Sequence, residues 1–176
     1  MTFLIKRKIK IPVFEVITPA IKKAESLSEK EHIAVIGTRG TIASKAYQFE
    51  GIPCPLFVSL IEEGEIKGKL ITLAAEKYLK PLKKRKIKVL ILGCTHYPLI
   101  EDEIRKIVGN SVILINPEKE VVLNLKKFLK KNDLLNKKKR RINYYVTDWT
   151  QNFQEVAEMF LGEKMEGKIK KITINP

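Results

Sequence analysis

Three side chains able to move protons stand in a row at residues 94 to 96. Cys94, Thr95 and His96 follow Gly93 directly in the stretch KVLILGCTHYPLI, residues 88–100. A thiolate at such a place can remove a proton, attack a carbonyl or bind a metal. An imidazole two residues on can relay a proton near neutral pH. Metal binding is short of ligands, because His32 and His96 are the only histidines and His32 precedes its strand, at the opposite end from Cys94. Cys54 and Cys94 also lack the C-x-x-C spacing of a structural zinc site. Residue types alone leave a Cys–His hydrolase open, and the simplest alternative is a strand-end cysteine that only packs. A second chemical stretch, GTRGT at residues 37–41, offers the hydroxyls of Thr38 and Thr41.

The elements that must position these groups alternate between strand and helix. The pattern predicts strands over 10–17, 32–38, 87–93, 111–117, 141–148 and 168–174. Helices are predicted over 20–29, 41–50, 67–82, 98–109, 120–131 and 152–162, with Thr41 placed to cap the second of them. Residues 51–64, punctuated by Pro53 and Pro55, read as a loop or a short strand. Pro81 marks a helix end, Pro98 a helix start and Gly109 a stop. The run at 87–93 is apolar throughout, as in a strand buried on both faces of a parallel sheet. The alternation predicts an α/β fold with a parallel, doubly wound, flavodoxin-like sheet. Ligands of such sheets sit at the carboxyl ends of the strands, where GTRGT and GCTH both fall. A helix starting near Pro98 would bring its positive end to Cys94 and favour the thiolate.

Composition sets the outer limits. The 176 residues carry a formal charge of +14, with basic runs at 5–10, 79–88 and 126–141. These runs form no aromatic stacking strip and no recognisable DNA-binding motif, so they read as a solvated surface, and no nucleic-acid partner is expected. No apolar run reaches the roughly 20 residues of a membrane span, and the start has no secretory pattern. Two cysteines are too few for a disulfide framework, which points to a reducing cytoplasm.

The motif LILGCTHYPLI resembles the second cysteine motif of the glutamate racemases, within the aspartate/glutamate racemase superfamily. IPVFEVITPAIKKA (11–24), AVIGTRGTIASKAYQ (34–48), PCPLFVSLIEEG (53–64) and YYVTDWTQNFQEVAEMFLG (144–162) resemble further segments in matching order. The resemblance implies interconversion of L- and D-glutamate without a cofactor, supplying D-glutamate for peptidoglycan. It implies Cys94 as an acid/base assisted by His96, with Thr95, Thr38, Thr41 and Glu62 lining the substrate site. An aspartate racemase, or a non-catalytic partner-binding remnant, remains an alternative.

One part of the family pattern has no match. The family's opening strand with Asp-Ser and its first Cys-Asn-Thr motif do not occur in these residues, and Cys54, between two prolines, is a poor substitute. The resemblance therefore implies the carboxyl-terminal two-thirds of a racemase. Residues 19–118 would form the complete second domain, and 1–18 with 119–176 a remnant of the first. The expected partners are the small-molecule substrate and either an amino-terminal racemase fragment or further copies of the chain. Alone, such a chain is expected to be inactive and to expose apolar faces.

Overall fold

The computed structural model describes residues 11–136, 142–148, 153–167 and 169–174. The basic run at 5–10, and residues 137–141 of the third basic run, lie outside the described residues. The chain divides into two compact units, Met1–Leu135 and Asn136–Pro176. The first holds β1 (Ile33–Gly37), β2 (Glu50–Pro53), β3 (Val89–Leu92) and β4 (Ile113–Ile115). Its helices are α1 (Ile17–Glu25), α2 (Arg39–Ala43), α3 (Pro55–Glu62), α4 (Lys69–Leu79), α5 (Glu101–Val108) and α6 (Pro117–Lys131). The second unit holds β5 (Tyr144–Val146), α7 (Phe153–Leu161) and β6 (Ile169–Lys171), with β5 and β6 paired in parallel.

All pairings in the main sheet are parallel, in the order β2-β1-β3-β4. The expected α/β class and doubly wound sheet are therefore present. β1 and β3 are buried along their whole length, which explains their unbroken apolar sequences. Ile33, Val35, Val89, Ile91 and Ile115 share one core cluster with Ala20 and Ala24 of α1. Strand alternation sends Ala34, Ile36, Leu90 and Leu92 to the other face. That leaves the second face for the layer in which α4 packs between α3 and α5. α6 packs on α1, and Asn116 caps it by accepting from the amides of Glu118 and Lys119. α5 stops where the pattern placed its end, at Gly109, whose φ of 91° suits a residue without a Cβ.

Three expectations are corrected. Residues 11–16 form no strand: Pro12 has no N–H for a ladder, and Phe14 instead meets Phe128 of α6 edge-on, with ring centroids 5.2 Å apart. The helix expected over 41–50 is only the five-residue α2, and its cap is Thr38, not Thr41. After α2 the chain turns through Lys45 and Gln48, both at positive φ, and leaves a cavity of about 470 Å³ lined by Ile42, Tyr47 and Phe49. Residues 51–64 are neither loop nor lone strand, because Pro55 opens α3 at its first position.

Close approach of β1 and β3 requires a glycine at 93. A Cβ there would lie 2.8 Å from the carbonyl oxygen of Ile36 and 2.9 Å from Val35 Cγ2. The Gly93 amide also donates to that same carbonyl at 2.7 Å. Gly93→Ala is expected to cost about 1–3 kcal/mol as an overpacked, displaced ladder, read as a lower urea midpoint with an unchanged slope.

Candidate active site

Register alone aligns the chemistry. Ile36 pairs with Leu92 across β1 and β3, so two residues further on Thr38 lies level with Cys94. Gly37 pairs with Pro53, placing Cys54 level with Thr38 on the far side. These residues sit just beyond the carboxyl ends of β1 and β3. That is the switch point at which a sheet of this order leaves a crevice, because its connections diverge to opposite faces.

Thr38 ends β1 and caps α2, its Oγ1 accepting from the Thr41 amide at 3.2 Å and lying 3.0 Å from Thr41 Oγ1. Cys94 is a free, half-buried thiol. Its Sγ lies 3.8 Å from His96 Nδ1, and Thr95 Oγ1 lies 3.4 Å from the same nitrogen. His96 Nε2 is 3.0 Å from Glu62 Oε1. Glu62 stands at the last turn of α3. A carboxylate at Nε2 favours the tautomer with the proton there, which makes Nδ1 an acceptor facing the Cys94 thiol. Glu62, His96 and Cys94 thus form one chain along which a proton can pass.

The Cys94 pKa lies above the ordinary thiol value. Burial is the main cause, the Glu118 and Glu62 charges add to it, and the backbone N–H groups of His96 and Tyr97 oppose it. The amides expected to favour the thiolate do act in that direction, but burial sets the net shift. The chain enters only a four-residue 3-10 turn, Tyr97–Ile100, before α5 begins, and two amides do not outweigh desolvation. Cys54 is fully buried, bonded to the Ile52 carbonyl at 3.6 Å, and burial pushes its thiol up to about 12. It is a packed cysteine.

Two residues of the site escaped the motif reading. Tyr97 is fully buried, and its hydroxyl donates to the Cys54 carbonyl at 3.0 Å. The ring meets Phe57 edge-on at 5.2 Å. This side chain ties the turn carrying Cys94 and His96 to the start of α3, which carries Glu62. Glu118, in the first turn of α6, is the second. Its carboxyl pKa is raised by burial, and Oε2 is sealed from solvent without a hydrogen-bond partner among the described residues. The available signal was the spacing of Asn116 and Pro117, a helix start directly after a strand. Among the described residues the one group of possible metal ligands is Glu29, Glu31 and His32, at the start of β1 and away from Cys94.

A half-buried thiol 3.8 Å from an imidazole, at the switch point of a parallel sheet, marks an α/β protein with acid–base side chains at the strand ends. Comparison with known proteins narrows the class: the Asp/Glu/Hydantoin racemase family model matches residues 3–122, and the chain belongs to that family. It is 40% identical over 175 residues to the glutamate racemase of Aquifex aeolicus, covering 94% of this chain and 66% of that protein. It is 34% identical to the glutamate racemase of Beutenbergia cavernae, covering 89% of this chain and 61% of that protein. The chain thus spans a little under two thirds of the length of these relatives. A crystal structure of Francisella tularensis glutamate racemase in complex with D-glutamate superposes with a TM-score of 0.87 at 36% identity. That match covers 98% of this chain and 68% of the other. The Bacillus anthracis isoform RacE1 gives a TM-score of 0.88 at 28% identity. No helix among the described residues is long and apolar enough to cross a membrane.

Removing the Tyr97 hydroxyl strands a buried carbonyl. Tyr97→Phe is expected to cost about 1–3 kcal/mol in chemical denaturation. It is also expected to slow alkylation of Cys94, because the Tyr97 amide that faces the thiol loses its anchor. In the unmodified chain, a raised thiol pKa means that the protonated form dominates at neutral pH. Iodoacetamide labelling of Cys94 should therefore accelerate with pH through a midpoint above the usual ~8.5 of a free cysteine, while Cys54 stays unlabelled.

Proposed function

We propose that this chain supplies one catalytic half-site of a glutamate racemase, interconverting L- and D-glutamate by proton transfer at Cα without a cofactor. The observation that carries the reading is the Glu62–His96–Cys94 chain at the β1/β3 switch point, in a member of the racemase family. Cys94, as thiolate, takes the α-proton from one face of the amino acid, and the carbanion is protonated by a thiol on the other face. A single fixed base would return its proton to the face it came from, so inversion needs a second carrier opposite the first. His96 accepts the Cys94 proton as the thiolate forms, and Glu62 holds the imidazole in the accepting tautomer. Thr95, Thr38 and Thr41 bind the substrate's carboxylate and ammonium groups.

The opposing carrier comes from outside these 176 residues. Cys54 and Cys94 are the only cysteines in the sequence, and Cys54 is buried. An amino-terminal racemase segment bearing the first cysteine motif, or a second copy of the chain, would provide it. The domain division at 19–118 against 1–18 and 119–176 belongs to the same proposal, as does a cytoplasmic role in making D-glutamate for peptidoglycan.

The test is incubation with L-glutamate in deuterated water. The chain alone is expected to give little deuterium at Cα, and addition of a segment carrying the first cysteine motif to give deuterated L- and D-glutamate. In that reconstituted enzyme Cys94→Ala abolishes inversion with the fold intact, and His96→Asn lowers turnover about a hundredfold or more. Wild-type rates in Cys94→Ala would remove the assignment, and faster turnover of aspartate would redirect the substrate.

A further inference from the structure

Glu118 has the features of a group waiting for a charge. Ile91 pairs with Ile115 across β3 and β4, and α6 opens two residues past β4, so Glu118 in its first turn stands at the same end of the sheet as Cys94, on the side of β3 away from β1. Its charge bears on both neighbours in the cleft: it raises the Cys94 thiol and, with Glu15 and Cys94, helps burial push the Tyr47 hydroxyl up to about 12. Tyr47 in turn abuts Gly93, its ring edge 3.3 Å from where a Cβ would stand. The Glu118 amide is satisfied by Asn116 Oδ1 at 2.9 Å, yet Oε2 is shut off from solvent with no partner among the described residues. A carboxylate oxygen deprived of water and of donors is costly to keep. A helix start favours such a charge only in part. The donor chemistry that would satisfy it is a small cation with several N–H groups, set beside the thiol.

We propose that Glu118 is a binding residue of the cysteine site, recognising a primary ammonium group placed next to Cys94. This rests on the reading of the site as one for an amino acid, and it names the group that holds the amino nitrogen on the β4 side. The empty site then has a built-in bias. With no ammonium bound, the Glu118 charge opposes thiolate formation. A bound ammonium cancels that charge, so the base is released as the substrate arrives.

A thiol reagent that carries its own ammonium tests the idea in the chain as it stands. Cys94 thiolate attacks either 2-aminoethyl methanethiosulfonate or its neutral ethyl counterpart, forming a mixed disulfide and expelling methanesulfinate. Mass spectrometry counts the product, with Cys94→Ala as the blank. The ammonium reagent is expected to be favoured over the neutral one. That preference should fall about threefold or more in Glu118→Gln, the scale of one partly screened charge contact. Glu118→Asp should keep part of it, and Glu120→Gln, two residues further along α6, should keep all of it. The same preference in wild type and Glu118→Gln, or an equal fall in Glu120→Gln, would overturn the proposal. If the racemase reading failed instead, the reconstituted enzyme would not invert glutamate while the reagent preference stayed with Glu118.

Discussion

The parallel pairing of β1 with β3 is the constraint on which the site depends. Ile36 against Leu92 fixes where both strands end, and the Gly93 amide closes the ladder on the Ile36 carbonyl. Because the strands run in the same direction, both loops emerge on one side of the sheet. A shift of one residue would turn the apolar sets of both buried strands toward the wrong layers. The core therefore enforces the register, and the register sets Thr38 beside Cys94. Packing energy spent on Ile, Leu and Val is what makes the position of a thiol reproducible.

The thiol does not act from the strand alone. His96 reaches it from the turn that follows β3, and Glu62 reaches His96 from the end of α3, 34 residues earlier in sequence. Tyr97 closes the arrangement from within, since its hydroxyl holds the carbonyl that precedes α3. A buried neutral hydrogen bond contributes little net stability, but loss of one partner is expensive. Such a bond is well suited to fixing a distance. Here it holds the base of the imidazole chain and the helix bearing its carboxylate to the same point.

The sequence was most legible where burial is complete. β1 and β3 announced themselves as unbroken apolar runs, and the chemical residues stood directly after them, so both the α/β class and the strand-end site were readable. Cys94, His96 and Glu62 meet in the structure as a chain of contacts, although the contact between Glu62 and His96 could not be seen in one dimension. The failures share a physical cause: local pattern does not show what the backbone or a distant contact requires at a position. Pro55 looked like an interruption and is a helix start, because its missing N–H costs nothing at the first position. Residues 11–16 are apolar enough for a strand, yet Phe14 makes a ring contact with Phe128 of α6 instead. The segment 41–50 has helical composition, but Lys45 and Gln48 adopt positive φ, and nothing in a lysine or glutamine announces that.

Charge around the thiol runs against the charge of the whole. The chain carries +14, while the groups that bear on Cys94 electrostatically are Glu62 and Glu118. A uniformly basic cleft would attract any small anion and would stabilise the thiolate in the empty site, leaving a reactive sulfur open to oxidation. Carboxylates at the cleft invert that. On the proposed reading they add to burial in keeping the sulfur protonated until a ligand brings positive charge of its own, and they penalise dicarboxylic acids that lack an amino group. The remote lysines still raise the concentration of anions near the protein through the long-range field. On the proposed reading the two scales divide the work. The field of the surface gathers acidic amino acids, and the local carboxylates select among the acids that arrive for those with an ammonium group.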